Sequence, residues 1–303
     1  MDKLAAMRGF IEVVDQGSLT AAGRALGKSL PTMVRTLAAL EEDLGVRLLR
    51  RTTRRMSLTP EGHEYLARCR QILADIDEAE RLLGESGELR GGIRITAPVL
   101  FGQMHVAPAA VAFAKAHQEV DVDLMLLDRV VDLVDEGIDV GIRIAHLADS
   151  AMIAIPVGTV RQVVVASPAL LRDSGPLQTP RELRDRPTVR FDATNTRGVW
   201  RFREDGKTLR VEPRTGFRAN HASAAIHACT EGLGFGRFLS YQVAPHLRSG
   251  TLERVLREFE DAPIPVQIIY PEARLMSARL RAFVDWMRDR LREREELDAD
   301  RDS

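Results

Sequence analysis

Ser18-Leu19-Thr20-Ala21-Ala22-Gly23-Arg24-Ala25-Leu26-Gly27, followed by Lys28-Ser29-Leu30-Pro31-Thr32-Met33-Val34-Arg35-Thr36-Leu37-Ala38-Ala39-Leu40-Glu41, is the stretch from which the rest of the chain is read. Ser18 suits the N-cap of a helix through Leu26, and Gly27 suits its stop, where a left-handed residue is needed. Ser29 can cap a second helix, with Pro31 tolerated in a first turn whose N–H groups have no intrahelical partner. Leu30, Met33, Leu37, Leu40 and Leu44 recur at three- and four-residue spacing and form one apolar stripe, and Gly45 lies just past its end. Two short helices joined by a turn of about three residues make a helix-turn-helix, whose second helix fits a major groove.

Arg47, Arg50, Arg51, Arg54 and Arg55 follow at once. Leu48-Leu49-Arg50 and Met56-Ser57-Leu58 read as a short hairpin, a basic wing beside the second helix. Arginines on such a tip suit phosphate oxygens or a narrow minor groove. A solvated basic loop is the plain alternative, and the capped helix pair in front of the run favours DNA.

Residues 1–70 hold 12 Lys and Arg against 8 Asp and Glu, a local charge of +4 in a chain whose formal net charge is −1. A basic head on a mildly acidic body fits a nucleic-acid reader carrying a separate sensor. At 303 residues, 45% hydrophobic and 29% charged, the chain is long enough for two domains or more. Its two cysteines, Cys69 and Cys229, give neither a disulfide framework nor a metal spacing and suit a reducing cytoplasm. No apolar run long enough for a membrane span is expected, and the first residues enter an amphipathic helix rather than a signal peptide.

Residues 2–16 read as a first helix with Leu4, Met7, Phe10, Ile11 and Val14 on its core face. A longer helix starts at Thr59-Pro60, with Pro60 in its first turn. Along it Leu66, Cys69, Leu73, Ile76 and Leu83 fall near a seven-residue repeat broken by Glu80, a seam for a partner helix. The same spacing also fits an amphipathic helix lying on its own domain.

Gly84, Gly87, Gly91 and Gly92 mark a linker, after which strands and helices alternate. Strands are expected at Ile93–Ala97, Val120–Leu127, Asp139–Ile144, Gln162–Ser167, Val199–Arg203, Thr208–Val211 and Val266–Tyr270. Helices are expected at Val106–His117, from a Thr179–Glu182 capping box, at Ala222–Glu231 and at Ser277–Arg292. This order predicts parallel sheets with helical crossovers, in a body long enough for two lobes and a cleft. Ligands in such sheets sit at the carboxyl ends of strands.

The head resembles the winged helix-turn-helix of LysR-type transcriptional regulators at Phe10, Ser18, Ala21-Ala22, Leu26, Ser29, Pro31, Leu40-Glu41, Leu44-Gly45, Leu48, Arg51 and Leu58-Thr59-Pro60-Glu61-Gly62. The body resembles the effector-binding half of that family at Gly92–Ile95, Gly137–Arg143, Val165–Pro168, Leu171, Trp200, Glu231–Gly236 and Gly250–Leu252. The resemblance implies a winged helix-turn-helix over 1–60, a linker and dimerisation helix over 61–90, and a two-lobed α/β domain like periplasmic binding proteins over 91–296. A charged tail, 297–303, is expected to fray. It also implies a cytoplasmic, homodimeric or homotetrameric transcriptional regulator that binds double-stranded operator DNA and a small effector, with no cofactor, no metal and no membrane.

The residues then expected on DNA are Ser18, Thr20, Lys28, Ser29, Leu30, Pro31, Thr32, Val34, Arg35, Thr36, Arg50, Arg51, Arg54 and Arg55. The family usually carries glutamine at the position of Leu30 and serine at that of Val34. Here those side chains either meet thymine methyls or join the core of a slightly rotated helix. The effector is expected near Pro98, Val99, Phe101, Arg143 and Asn220, and Arg143 together with a helix start at Asn220 suits a carboxylate. The partner seam is expected at Leu66, Cys69, Leu73, Ile76 and Leu83.

Other chemistries find no support in sequence. Gly232-Leu233-Gly234-Phe235-Gly236 lacks the dinucleotide spacing and reads as a helix-to-strand turn, and His221, His227 and Cys229 have no ligand spacing. No Walker, GxSxG or zincin motif is present. An α/β enzyme with a basic appendage and a solute-binding protein are the rival readings. The first lacks a nucleophile, and the second lacks an export signal.

Overall fold

Asp2, Ser18 and Ser29 each start a helix in the computed structural model, which describes residues 2–51, 56–82, 89–146, 152–191, 198–272 and 276–298. Their side-chain oxygens accept the N–H groups of Ala5, Ala21 and Thr32 at 3.0, 3.4 and 3.3 Å. The helices are α1 (Lys3–Asp15), α2 (Leu19–Ala25) and α3 (Leu30–Leu44). Gly27 and Gly45 end the last two at φ 62° and 68°, where a Cβ would be strained. Met7, Phe10 and Val13 of α1 pack with Ala22 of α2 and with Met33, Leu37 and Leu40 of α3. The core face of α1 is thus rotated from the expected one, with Val13 fully buried and Leu4 exposed.

Two strands, β1 (Leu49–Arg51) and β2 (Met56–Leu58), pair antiparallel with Leu49 opposite Leu58 and Arg50 opposite Ser57. The hairpin begins one residue later than expected, at Leu49, and Leu48 and Leu49 are both buried in the head's core. Helix α4 (Pro60–Leu82) follows, with Thr59 Oγ1 accepting the Gly62 N–H at 2.9 Å as its N-cap. The chain divides into two compact units, Met1–Glu88 with Asp132–Asp139, and Leu89–Val131 with Val140–Ser303.

The second unit holds two five-stranded sheets. The first lobe contains β3 (Gly91–Ala97), β4 (Val120–Leu126), β5 (Val140–Ile144), β6 (Met152–Val160) and β14 (Ile264–Pro271), in the order β4-β3-β5-β14-β6. The second contains β7 (Gln162–Ala166), β8 (Thr188–Phe191), β11 (Thr215–Ala219), β12 (Phe235–Leu239) and β13 (Glu253–Val255), in the order β11-β8-β12-β7-β13. Strands β9 (Trp200–Glu204) and β10 (Lys207–Val211) form a separate antiparallel hairpin. The sheets are mixed, which corrects the all-parallel expectation. β3 runs parallel to β4 and β5, but β14 returns from the second lobe and pairs antiparallel with β5 and β6.

Helices α5 (Val99–Phe101) and α6 (Ala107–Ala116) are joined by a π-helical turn, Gly102–Val106, so this helical stretch starts well before the expected Val106. The turn ends two residues before Pro108, which has no N–H to return to Met104. Contrary to expectation, Val99–Ala116 is long and apolar enough by length and composition to span a membrane. Phe101, Val106, Ala109, Ala110 and Phe113 from this stretch lie in the first lobe's core, together with Phe283 and Met287 of α10 (Ala278–Arg292). Helices α7 (Pro168–Ser174), α8 (Ala222–Thr230) and α9 (Ser240–Arg248) belong to the second lobe. Leu297, the first residue of the expected tail, is ordered, closing the 3-10 turn Glu295–Leu297 and buried in the first lobe's core, and residues 299–303 lie outside the described residues.

Only Arg161 separates β6 from β7 where the chain first crosses between lobes. Its N–H donates to Ser240 Oγ at 3.2 Å, its carbonyl accepts the Ser240 N–H at 2.8 Å, and its guanidinium donates to the Asp261 carbonyl at 3.3 Å on the return crossing. One residue thereby ties together both connecting strands and the start of α9.

Candidate nucleic-acid interface and effector cleft

Helix α3 turns Met33, Leu37 and Leu40 inward, which leaves an outer face of Leu30, Pro31, Arg35 and Ala38. Leu30 is 44% exposed, and Val34, one turn along, is half-buried. Leu30 has therefore not joined the core, so that alternative fails for it. Arg35 is exposed, with its Nε 3.4 Å from the Pro31 carbonyl. Thr20 is exposed, while Ser18, Lys28 and Thr32 are half-buried around the turn. Ser29 Oγ holds Thr32 Oγ1 at 2.8 Å as well as the Thr32 N–H, so both hydroxyls are engaged in the cap. Thr36 leans towards α1, its methyl 4.0 Å from where a Cβ on Gly9 would stand.

The wing is anchored by Glu41, a carboxylate only 6% exposed. Its Oε1 accepts the N–H groups of Leu48 and Leu49 at 2.9 and 3.1 Å, and its Oε2 accepts Arg47 Nη1 at 3.2 Å. Thr59 Oγ1 donates to the Arg47 carbonyl at 2.7 Å. The wing's first strand is thus fixed to the end of α3, and Arg50 stands exposed on it. Arg51 lies on β1 with its side chain outside the described residues, as are Arg54 and Arg55 entirely. Sequence reasoning gave Glu41 no role; the signal was the Leu40-Glu41 pair at the end of the stripe.

The three places expected for an effector stand at the carboxyl ends of β3, β5 and β11. After β3, Pro98 and Val99 are half-buried, and the Val99 N–H donates to Asp128 Oδ1 at 3.0 Å. The chain's own carboxylate occupies that helix start, where an external acid had been expected. Phe101 corrects the reading further: it is fully buried against His105, with ring centroids 4.8 Å apart, and edge-on to Tyr241 at 5.1 Å. Tyr241 opens α9 in the second lobe yet packs in the first lobe's core, so Phe101 helps to seat one lobe on the other. Burial moves the Tyr241 hydroxyl upward and the His105 imidazole downward from their ordinary pKa values.

Arg143 is half-buried near the end of β5, and its Nη2 donates to the Val131 carbonyl at 3.1 Å. Asn220 is exposed, and His221 takes the N-cap position of α8 in its place with no side-chain cap bond. His221 Nδ1 instead lies 3.1 Å from Ser223 Oγ. The Gly232–Gly236 run is the helix-to-strand turn expected. A Cβ on Gly236 would stand 2.4 Å from Cys229 Sγ, so the glycine admits close packing of α8 on β12.

The seam of α4 is where the reading departs most. Leu66, Cys69 and Leu73 are buried in the head's own core, beside Phe10 and Leu37. They are covered within the protomer, so a partner cannot use them without unfolding the head. Ile76 is half-buried, Ile72 is 40% exposed, and Leu83 lies outside the described residues. Burial pushes the thiols of Cys69 and Cys229 up to about 11 and about 12, which disfavours the thiolates a redox pair would need.

Comparison with known proteins agrees with this geometry. The LysR substrate binding domain matches residues 86–292, and the bacterial regulatory helix-turn-helix protein of the lysR family matches residues 4–63. An HTH-type transcriptional repressor of Pseudomonas aeruginosa is 33% identical over 300 residues, which cover 98% of this chain and 95% of the relative. PtxR, an HTH-type transcriptional regulator from the same species, is 32% identical over 283 residues, covering 93% and 91%. Among solved structures, the full-length Vibrio cholerae virulence activator AphB is 26% identical with a TM-score of 0.61, covering 94% of this chain and 98% of that one. A capped basic head joined to a two-lobed body, matched across almost the whole length, places this chain in the LysR family of DNA-binding transcriptional regulators, with its effector-binding domain in the body.

Proposed function

We propose that the body senses a small carboxylated metabolite in the cytoplasm, and that a paired assembly, homodimer or homotetramer, carries the response to two heads on a two-fold operator. Arg143 is the observation that carries the ligand class: a guanidinium near the carboxyl end of a parallel strand, oriented by the Val131 carbonyl. The first turn of α8, whose N-cap side chain takes none of its N–H groups, adds donors that favour the same charge. An effector that binds one arrangement of the lobes better shifts their population, with Arg161 and Ser240 at the crossing between them. Half-sites on one face of DNA lie about 34 Å or a multiple apart, so a change in head spacing changes affinity.

The test is calorimetry of the full-length protein against a panel of small mono- and dicarboxylates, followed by titration of the best binder into Arg143→Ala. Loss of ~10-fold or more in affinity is expected, in the range of a charge-assisted hydrogen bond of about 1.5–3 kcal/mol. Equal affinity in parent and variant would remove Arg143 from the site. DNA binding is checked separately by its steep fall with salt.

A further inference from the structure

We propose that Leu30, with Val34 beside it, reads the 5-methyl group of thymine in the major groove, so that each half-site carries a thymine where this end of α3 enters. The inference rests on the DNA-binding assignment and deepens it. Leu30 opens α3, the second helix of the helix-turn-helix, and the first residues of that helix are the ones the motif brings to base edges. It stands 44% exposed although the helix has an apolar core into which Met33, Leu37 and Leu40 all fit. Val34 lies one turn further on, so the two side chains share a side of the helix.

The polar groups of the first turn are already engaged, since the Ser29 and Thr32 hydroxyls bond each other and the Thr32 N–H. The side of α3 that meets the groove therefore offers hydrocarbon at its start and a cation at Arg35. Exposed leucines occurring singly are ordinary on protein surfaces. This one belongs to a helix-turn-helix that carries Arg24 on α2, Lys28 in the turn and Arg35 on α3, a charge pattern that fits a polyanion rather than an apolar protein partner. Among the four bases only thymine presents a methyl group to the major groove, so hydrocarbon at a base edge selects it.

The experiment uses the full-length protein and a random-sequence duplex pool from which tight binders are selected. In the best duplex each thymine is replaced in turn by deoxyuridine, which lacks only the methyl. Parent protein should lose about fourfold in affinity at one or two positions per half-site, the equivalent of ~0.8 kcal/mol for a methyl-sized group removed from water. Leu30→Ala should bind the thymine and deoxyuridine forms of those positions within twofold of each other, with an unchanged salt dependence. Leu30→Gln should move the preferred base there from thymine towards adenine, whose N6 and N7 a carboxamide can bridge.

Equal binding of thymine and deoxyuridine duplexes by the parent, with sequence preference intact, overturns the inference and leaves the DNA-binding assignment standing. Undiminished deoxyuridine sensitivity in Leu30→Ala assigns the methyl contact to another residue and overturns it as well. Failure to select any duplex at low salt would sink both.

Discussion

Helices α3 and α4 read alike in the sequence, each a stripe of apolar residues at three- and four-residue spacing, yet the fold treats them in opposite ways. On α3 the stripe is taken into the head's core except for its first member, Leu30, which faces out. On α4 Leu66, Cys69 and Leu73, read from sequence as a seam for a partner, are enclosed by the protomer's own core. Periodicity locates the apolar side of a helix; it does not say what covers that side. The cover for α4 comes from Phe10 and Leu37, far away in sequence, and so could not be read from the helix itself.

The contrast is broken most directly at Leu73. Leu73→Asn places an amide in the head's core and should lower head stability by roughly 3 kcal/mol, the sum of a large-to-small loss and a buried polar group. Thermal melts of the full-length variant should show an early transition together with loss of DNA binding. Ile72→Asp changes the exposed neighbour and should leave that transition in place. By sedimentation its mass should fall towards that of one chain, because Ile72 with Ile76 is the apolar surface α4 still offers to a partner among its described residues. If Leu73→Asn merely halved the mass of a fully folded head, the covering role assigned to Phe10 and Leu37 would be wrong.

A second contrast is between two buried polar groups, one in each unit. In the head, Glu41 has both carboxylate oxygens engaged and fixes where the wing begins. In the body, His105 is just as enclosed, but neither ring nitrogen has a hydrogen-bond partner. Glu41→Ala strips two buried N–H groups of their acceptor and should cost about 2–3 kcal/mol, visible as a lower urea midpoint. The loosened wing should also make the dependence of DNA affinity on salt shallower, by about one phosphate contact. An unchanged salt slope would detach Arg50 and its strand from the DNA.

Local chemistry carried the reading of the head, because caps and stops sit beside the elements they delimit. Ser18, Ser29, Gly45 and Thr59 all act where the sequence places them. The body was less legible. Strand β11 has no buried-exposed alternation to betray it, since four of its five residues are exposed. Helix α9 carries Pro245 inside it, and β12 begins within a glycine run, so each hides behind a residue that normally breaks its own class of element. The candidate site divides in the same way. Arg143 was legible as a charge near a strand end, whereas the engagement of Asp128 with Val99 and of Phe101 with Tyr241 depends on pairings across the fold.

The smallest expected effect is also the one that depends on pH. Burial holds the His105 imidazole below its ordinary pKa, and the Glu296 carboxylate and Arg294 guanidinium act on it in opposite directions. The folded body therefore resists protonation that the unfolded chain accepts near pH 6.5. Above that pH the ring is neutral in both states, and its titration adds no penalty. As pH falls through 6.5 the unfolded state binds the proton first, and stability declines until the lower folded-state pKa is reached. His105→Leu removes both the titration and two unpartnered nitrogens from a site walled by Phe101 and Tyr241. It should raise stability by about 1 kcal/mol at neutral pH, since an apolar group of similar shape replaces an unsatisfied polar one. The gain should grow as pH falls below 6.5, measured as the difference in urea midpoint between parent and variant across that range. A difference that stayed constant with pH would mean that the ring finds a proton acceptor on folding, which would place His105 with Glu41 among the satisfied groups.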